Sequence, residues 1–145
     1  MLFRSVGAVV NGVVNGAIDA IATDHAPHAG SEKMQEFEKS PFGILGLETA
    51  IAVSLEQLVH PGKISLARMV ELFTTGPERI LHLGRGTLKA GSPADVTILS
   101  TDREWTYDVN KSASKSRNSP FHGRTFKGGP IAAIVAGKIV WQALP

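Results

Sequence analysis

The apolar positions of this 145-residue chain change rhythm four times. Val6 to Asn15 is apolar but broken by glycine and asparagine, a pattern open to either an irregular helix or a turn-rich lead-in. Ala17 to Thr23 (AIDAIAT) is a short, nearly continuous apolar run that ends in Asp24-His25-Ala26-Pro27-His28. A run of that length predicts a strand buried on both faces, as in a parallel sheet. A charged, glycine-containing loop from Ala29 to Ser40 then leads to Pro41-Phe42-Gly43. Helical spacing begins at Leu45 and continues through Leu47, Ala50, Ile51, Val53, Ser54 and Leu58, until Pro61-Gly62 stops it. Ser65 is a suitable N-cap for a second helix, with Leu66, Met69, Val70 and Phe73 on one face. A third, short helix is predicted from Pro77 to Leu83.

From Gly86 the rhythm becomes that of β structure. Thr87 to Asp95 reads as a strand end and turn that feeds a strand at Val96 to Ser100, and Glu104 to Tyr107 alternates weakly. Ile131 to Val135 and Lys138 to Trp141 flank Ala136-Gly137, which predicts a hairpin. No internal repeat is visible. One strand, then helices, then a small β unit is an α/β order with a change of character near residue 85.

Length bounds this picture. The chain is long enough for one domain with a core, and too short for a closed (β/α)8 barrel, which takes about 250 residues. Its 43% hydrophobic and 19% charged composition is that of a soluble globular protein. The formal charge is +2, with excess cations at Lys111, Lys115, Arg117, Arg124 and Lys127. Aromatic residues do not alternate with them, so a solvated loop is favoured over a nucleic-acid surface. The sequence contains no cysteine, which rules out disulfides, thiolate catalysis and Cys-ligated zinc in this chain and is compatible with a cytoplasmic setting. Arg4, the uncharged stretch from Ser5 to Ile18 and Ala20-Ile21-Ala22 faintly suggest a secretory leader. Asn11, Gly12, Asn15, Gly16 and Asp19 oppose that, and a buried strand is preferred. No segment is long and apolar enough to span a bilayer.

Asp24-His25-Ala26-Pro27-His28 carries the densest chemistry. A carboxylate at the C-terminal end of a buried parallel strand points to where such sheets open their sites. Two imidazoles within four residues add metal-binding or acid/base capacity. Pro27 stiffens the turn, and Asp with His suits a divalent ion such as zinc. Spacing alone supports equally a plain alternative, in which Asp24 caps a turn and the histidines are solvated.

The residues around this cluster resemble those of class I dihydroorotases. The resemblance rests on Ile21-Ala22-Thr23 before Asp24-His25-Ala26-Pro27-His28, on Pro41-Phe42-Gly43, on Gly46-Leu47-Glu48-Thr49, and on Lys115 to Gly123 followed by Gly128-Gly129. Thr75 to Leu81 and Gly86 to Val96 are similar to a run found across the wider amidohydrolase superfamily. The match spans roughly Ala17 to Trp141. Hydantoinases and allantoinases usually carry other residues where Ala26 and His28 stand.

The resemblance implies the C-terminal portion of a (β/α)8 metal-dependent hydrolase barrel, its last strand and helices in residues 1–85. Part of a small β-sandwich domain would follow in residues 86–145. It implies Zn2+ as cofactor. Asp24 would be a metal ligand and the catalytic acid/base, His28 would bind the substrate carboxylate, and Phe42 and Gly43 would hold the pyrimidine ring through backbone groups. The implied substrates are dihydroorotate and N-carbamoyl-L-aspartate. Implied partners are a second copy or aspartate transcarbamoylase, with no nucleic acid and no membrane. His25 receives no role, and His60, His82 and His122 read as structural or surface residues.

Such an enzyme also needs a His-x-His pair and further ligands from earlier strands. No His-x-His occurs here, so the chain is expected to be a fragment, inactive alone, with Met1 an internal or mis-assigned start. Two other classes are expected to compete. One is another cyclic amidohydrolase of allantoinase or dihydropyrimidinase type, against which His28 argues. The other is a non-catalytic structural partner of aspartate transcarbamoylase, against which an intact Asp24 and His28 argue.

Overall fold

The computed structural model describes residues 2–143, with side chains from Ser5 onward. The expectation about Met1 falls outside the described residues. The lead-in resolves as a helix, α1 (Leu2–Val14), that turns Val13 into the core. A short α2 (Gly30–Lys33) follows. Next is α3 (Ala50–Ser54), which runs on as a π-helical turn over Leu55–Val59, then α4 (Leu66–Phe73) and α5 (Thr75–Leu81). Strands β1 (Val96–Thr106), β2 (Thr125–Val135) and β3 (Lys138–Gln142) complete the chain. They form one antiparallel sheet in the order β1-β2-β3.

Ala17 to Thr23 has no regular secondary structure and pairs with no strand, so the strand expected there is not formed among the described residues. A parallel strand needs a neighbour on its hydrogen-bonding edge, and the three strands present pair with one another. Several of the segment's backbone groups bond to helices instead. Ile21 N–H donates to Leu72 O (2.9 Å), Ile18 N–H to Gly12 O (3.0 Å), and Arg68 Nη2 to Ile18 O (2.9 Å). Gly76 is buried against this segment, and a Cβ there would run into Asp19 O. Ile18 and Ile21 are thereby laid on the first core, formed by Val13, Leu55, Leu58, Ile64, Met69 and Leu72.

The helix expected from Leu45 begins only at Ala50. The preceding backbone is committed elsewhere: Leu45 N–H donates to Asn118 O (3.1 Å), and Ile44 O accepts from Ala26 N–H (3.0 Å). Its end agrees with expectation, since Gly62 at φ 72° takes the left-handed conformation that closes the turn. Ser65 caps α4, accepting Arg68 N–H at 3.1 Å. The third helix starts two residues before Pro77 and ends at a left-handed His82, φ 52°.

Val96 to Ser100 and Glu104 to Thr106 join into a single strand that stops one residue short of Tyr107, because Thr101 to Arg103 bulge out between the pairs Ser100↔Gly129 and Glu104↔Lys127. The hairpin forms at Ala136-Gly137, with φ 50° and 77°, the signature of a type I′ turn. Asp95 anchors it by accepting Ala136 N–H at 2.8 Å. A second core (Leu45, Ala52, Tyr107, Val109 and Phe126, edged by Trp105 and Phe121) joins α3 to the sheet. This packing holds the long connection after β1 against the loops that precede α3. No helix among the described residues is long and apolar enough to cross a membrane.

One ion-pair group holds α4, α5 and the Ala17 to Thr23 segment together. Glu71 pairs with Arg68 (2.7 Å) and Arg79 (2.8 Å). The hydrogen bond from Arg79, then that from Arg68, holds the Glu71 carboxyl below the ordinary carboxylate range. A depressed native pKa means this stabilisation is complete above the unfolded carboxylate value, roughly 4.3, and is lost as pH falls through the lower native value. Glu71→Gln should therefore flatten the acid limb of a melting-temperature profile between about pH 5 and pH 2. Acid limbs that superimpose for the two proteins would refute this assignment.

Candidate functional site

At the end of the Ala17 to Thr23 segment the backbone turns sharply. Asp24 sits at φ 44°, a left-handed conformation that Asp tolerates better than most L-residues, and the residue is exposed. His25 turns inward. Its Nδ1 accepts N–H bonds from Gly46 (3.2 Å) and, more weakly, Leu47 (3.4 Å), in the turn that opens α3. Nδ1 is thus the unprotonated ring nitrogen and Nε2 carries the hydrogen. Gly46 permits the approach, since a Cβ there would lie 2.8 Å from Thr23 O. The sequence offered no role for His25, and the fold supplies a structural one.

His28 faces the second loop. Its Nε2 lies 2.8 Å from Phe42 O and donates to it, while Nδ1 is 3.7 Å from the Glu32 carboxylate. Glu32 in turn accepts Ala29 N–H at 2.8 Å, and Lys33 Nζ donates to Pro41 O at 2.7 Å. These contacts fold the 29–41 loop over on itself. The Phe42 ring is 90% exposed, so it takes no part in either core. Gly43 follows at φ 105°, with Ala26 where its Cβ would stand.

The third component comes from far along the chain. Asn118 Nδ2 donates to Ala26 O (2.8 Å) and Gly43 O (3.3 Å), and its Oδ1 accepts His28 N–H (3.3 Å). The structure thus brings His28, Phe42 and Gly43 into one bonded cluster. Asp24 stands at the cluster's edge and makes none of its bonds. Asn118 was not singled out by sequence reasoning, although the Lys115 to Gly123 stretch that contains it was. Nothing in local spacing marks a side chain whose partners lie 75 to 92 residues away.

Two concavities lie nearby, and neither is lined by Asp24, His28 or Phe42. A cleft of about 220 Å³ behind the loops is walled by Ile21, Ile44, Thr49, Val53 and Phe121. A larger one of about 700 Å³ lies on the sheet face beside Trp105, Tyr107 and Trp141. The chemistry of the cluster, rather than either volume, marks the candidate site.

The donor set does not make a metal centre by itself. Among the described residues no three His, Cys, Asp or Glu side chains are grouped to hold an ion. His25 and His28 have ring nitrogens committed to backbone groups, which leaves Asp24 as a lone carboxylate where a catalytic zinc takes about three protein ligands. Two of the three remaining histidines are also engaged structurally. His60 Nε2 bonds Lys127 O (3.0 Å), and His122 Nδ1 accepts Val109 N–H (3.3 Å).

Gly43→Ala should separate the two loops, because it adds a methyl against Ala26 at a φ that L-residues avoid. The expected cost is about 1–3 kcal/mol in urea unfolding, with faster proteolysis between residues 29 and 41. Unchanged stability and unchanged cleavage would show that this close approach is not a constraint.

The chain was compared with known proteins. It is 68% identical over 135 residues to the dihydroorotase of Solibacter usitatus (strain Ellin6076), covering 93% of this chain and 31% of that protein. It is 49% identical over 142 residues to the dihydroorotase of Endomicrobium trichonymphae, covering 96% and 33%. The chain therefore spans about a third of the length of these curated relatives. Among solved structures it superimposes on the L-hydantoinase (dihydropyrimidinase) of Arthrobacter aurescens with a TM-score of 0.83 and 32% identity, covering 92% of this chain and 31% of that one. A D-hydantoinase from a Thermus species, at TM-score 0.82 and 24% identity, shares the fold. The sequence model of the amidohydrolase family matches residues 5–140, nearly the whole length described above, and the chain belongs to that family.

Proposed function

We propose that this chain is the C-terminal portion of a dihydroorotase, an enzyme that interconverts dihydroorotate and N-carbamoyl-L-aspartate. The observation that carries the proposal is the 68% identity to a dihydroorotase over 93% of the chain. The solved hydantoinase resembles the chain at less than half that identity, and an imidazole at His28 suits a substrate that bears a carboxylate. An intact Asp24 and His28 disfavour a purely structural partner of aspartate transcarbamoylase. In this proposal residues 1–85 hold the last barrel strand and its helices, and residues 86–145 part of the small β domain. Ala17 to Thr23 would gain strand pairing only from chain outside the described residues.

The forward reaction adds water across the cyclic amide. The C–N bond breaks, hydroxide joins the carbonyl carbon, and a proton goes to the departing nitrogen. Asp24 would move that proton: an exposed carboxylate at this position could take it from the attacking water and return it to the nitrogen. His28 would meet the substrate carboxylate, and the Phe42-Gly43 backbone would hold the ring. Asp24 would also be one zinc ligand. The other ligands do not come from this chain's described residues. A second copy or aspartate transcarbamoylase remains a proposed partner.

Dihydroorotate hydrolysis by the purified chain with zinc, alone and mixed with a polypeptide supplying the first seven barrel units, tests the proposal. Activity is expected only in the mixture and should fall at least about a hundredfold with Asp24→Ala, the lower range for losing an acid/base group. A folded, zinc-binding mixture that leaves dihydroorotate intact would overturn it.

A further inference from the structure

Asn118 lies outside the residues that would touch substrate, yet it contacts both loops that carry them. Its amide uses both of its faces. Two N–H donors go to carbonyls on different loops, Ala26 O at 2.8 Å and Gly43 O at 3.3 Å. The oxygen accepts from His28 N–H at 3.3 Å, and the residue's own carbonyl accepts from Leu45 N–H at 3.1 Å. Asn118 therefore bonds Ala26 and His28 on one loop, and Gly43 and Leu45 on the other.

The partners dictate the residue type. Carbonyl oxygens require donors and a backbone N–H requires an acceptor, so only a side chain with both serves all three bonds. Aspartate has nearly the same shape but would set a carboxylate oxygen against two carbonyls. Alanine would leave all three side-chain bonds unmade. Both loops are also joined without Asn118, through Ala26 N–H to Ile44 O (3.0 Å) and His28 Nε2 to Phe42 O (2.8 Å). His25 secures the far end, at Gly46 and Leu47. Loss of the amide should thus shift the His28 and Gly43 peptides without unfolding the chain.

We propose that Asn118 is a positioning residue for ligand binding. By clamping the Ala26-to-His28 backbone to Gly43, it sets the spacing between the His28 imidazole and the Phe42-Gly43 turn. The identity of the ligand rests on the dihydroorotase reading; the clamp itself does not. Its position on the connection after β1 also makes the site depend on the second core. Tyr107 N–H donates to Arg124 O (3.0 Å) and Gly123 N–H to Tyr107 O (2.8 Å), closing the base of the loop that presents Asn118.

Two measurements on Asn118→Asp and Asn118→Ala separate the clamp from its ligand, with Asn110→Ala as a control outside it. In the 145-residue chain, amide exchange at His28 should quicken and the imidazole nitrogen shifts of His28 should move in both variants, with a melting temperature close to that of the parent. In the reconstituted mixture, KM for dihydroorotate should rise roughly tenfold, as befits the loss of one or two net hydrogen bonds, while kcat changes less than about threefold. Unaltered exchange and shifts at His28 would overturn the clamp. Altered exchange with an unchanged KM, or KM, kcat and melting temperature all failing together, would overturn the positioning role. If the parent mixture leaves dihydroorotate untouched, the assignment of the enzyme fails, and exchange at His28 still decides the clamp.

Discussion

The partly buried segment from Ala17 to His28 has no strand neighbour among the described residues, so the backbone groups it turns away from water require partners on other elements. Each buried N–H and C=O left without a partner costs about as much as a lost hydrogen bond. From Ala17 to His28 these partners include a helix carbonyl at Leu72, the Arg68 guanidinium, a loop carbonyl at Ile44 and the Asn118 amide. These bonds tie the segment to α4, to the loop before α3 and to the connection after β1. Arg68 reaches Ile18 O while bonded to Glu71, and Glu71 is shared with Arg79, so the ion-pair group extends the support of the segment into α5.

The same requirement places the site. Asp24, His28, Phe42 and Gly43 lie on two loops with little regular structure of their own. They are held by side chains that act on backbone: His25 on the first turn before α3, His28 on Phe42, and Asn118 on both loops. Loops positioned by a scaffold are where binding and catalytic groups concentrate. Here the scaffold includes the β unit, because Asn118 reaches the loops from a connection anchored by Tyr107 and Phe126 in the second core. The two halves of the chain are thus coupled at the candidate site and not only along their packed faces.

Several large apolar side chains are turned to solvent, among them Met34, Phe37 and Phe42 near the site and Ile139, Val140 and Trp141 on β3. Every residue of β3 is exposed, and one edge of that strand is unpaired within the described residues. Apolar surface of this extent is unusual for a free-standing domain. It agrees with a chain that spans about a third of its curated relatives.

What the sequence determined by itself was local. The Ser65 cap, the stop at Pro61-Gly62 and the Ala136-Gly137 hairpin turn depend on residue chemistry within a few positions, and all were legible; of the face read for α4, Met69 is buried but Leu66 and Val70 are exposed, and Leu72 is buried in their place. So was the family, through residues around Asp24-His28 and Pro41-Gly43. Tertiary structure alone decided the rest. Periodicity marked Ala17 to Thr23 as apolar and extended, but whether it becomes a strand depends on a neighbour that no local pattern reports. The start of α3 moved to Ala50 because Leu45 N–H and Ile44 O had partners in distant segments. His25 and Asn118 acquired their roles because backbone groups up to 92 residues away needed a donor or an acceptor where packing had placed them. A propensity is a property of a few residues, whereas the partner of a buried polar group is a property of the whole fold.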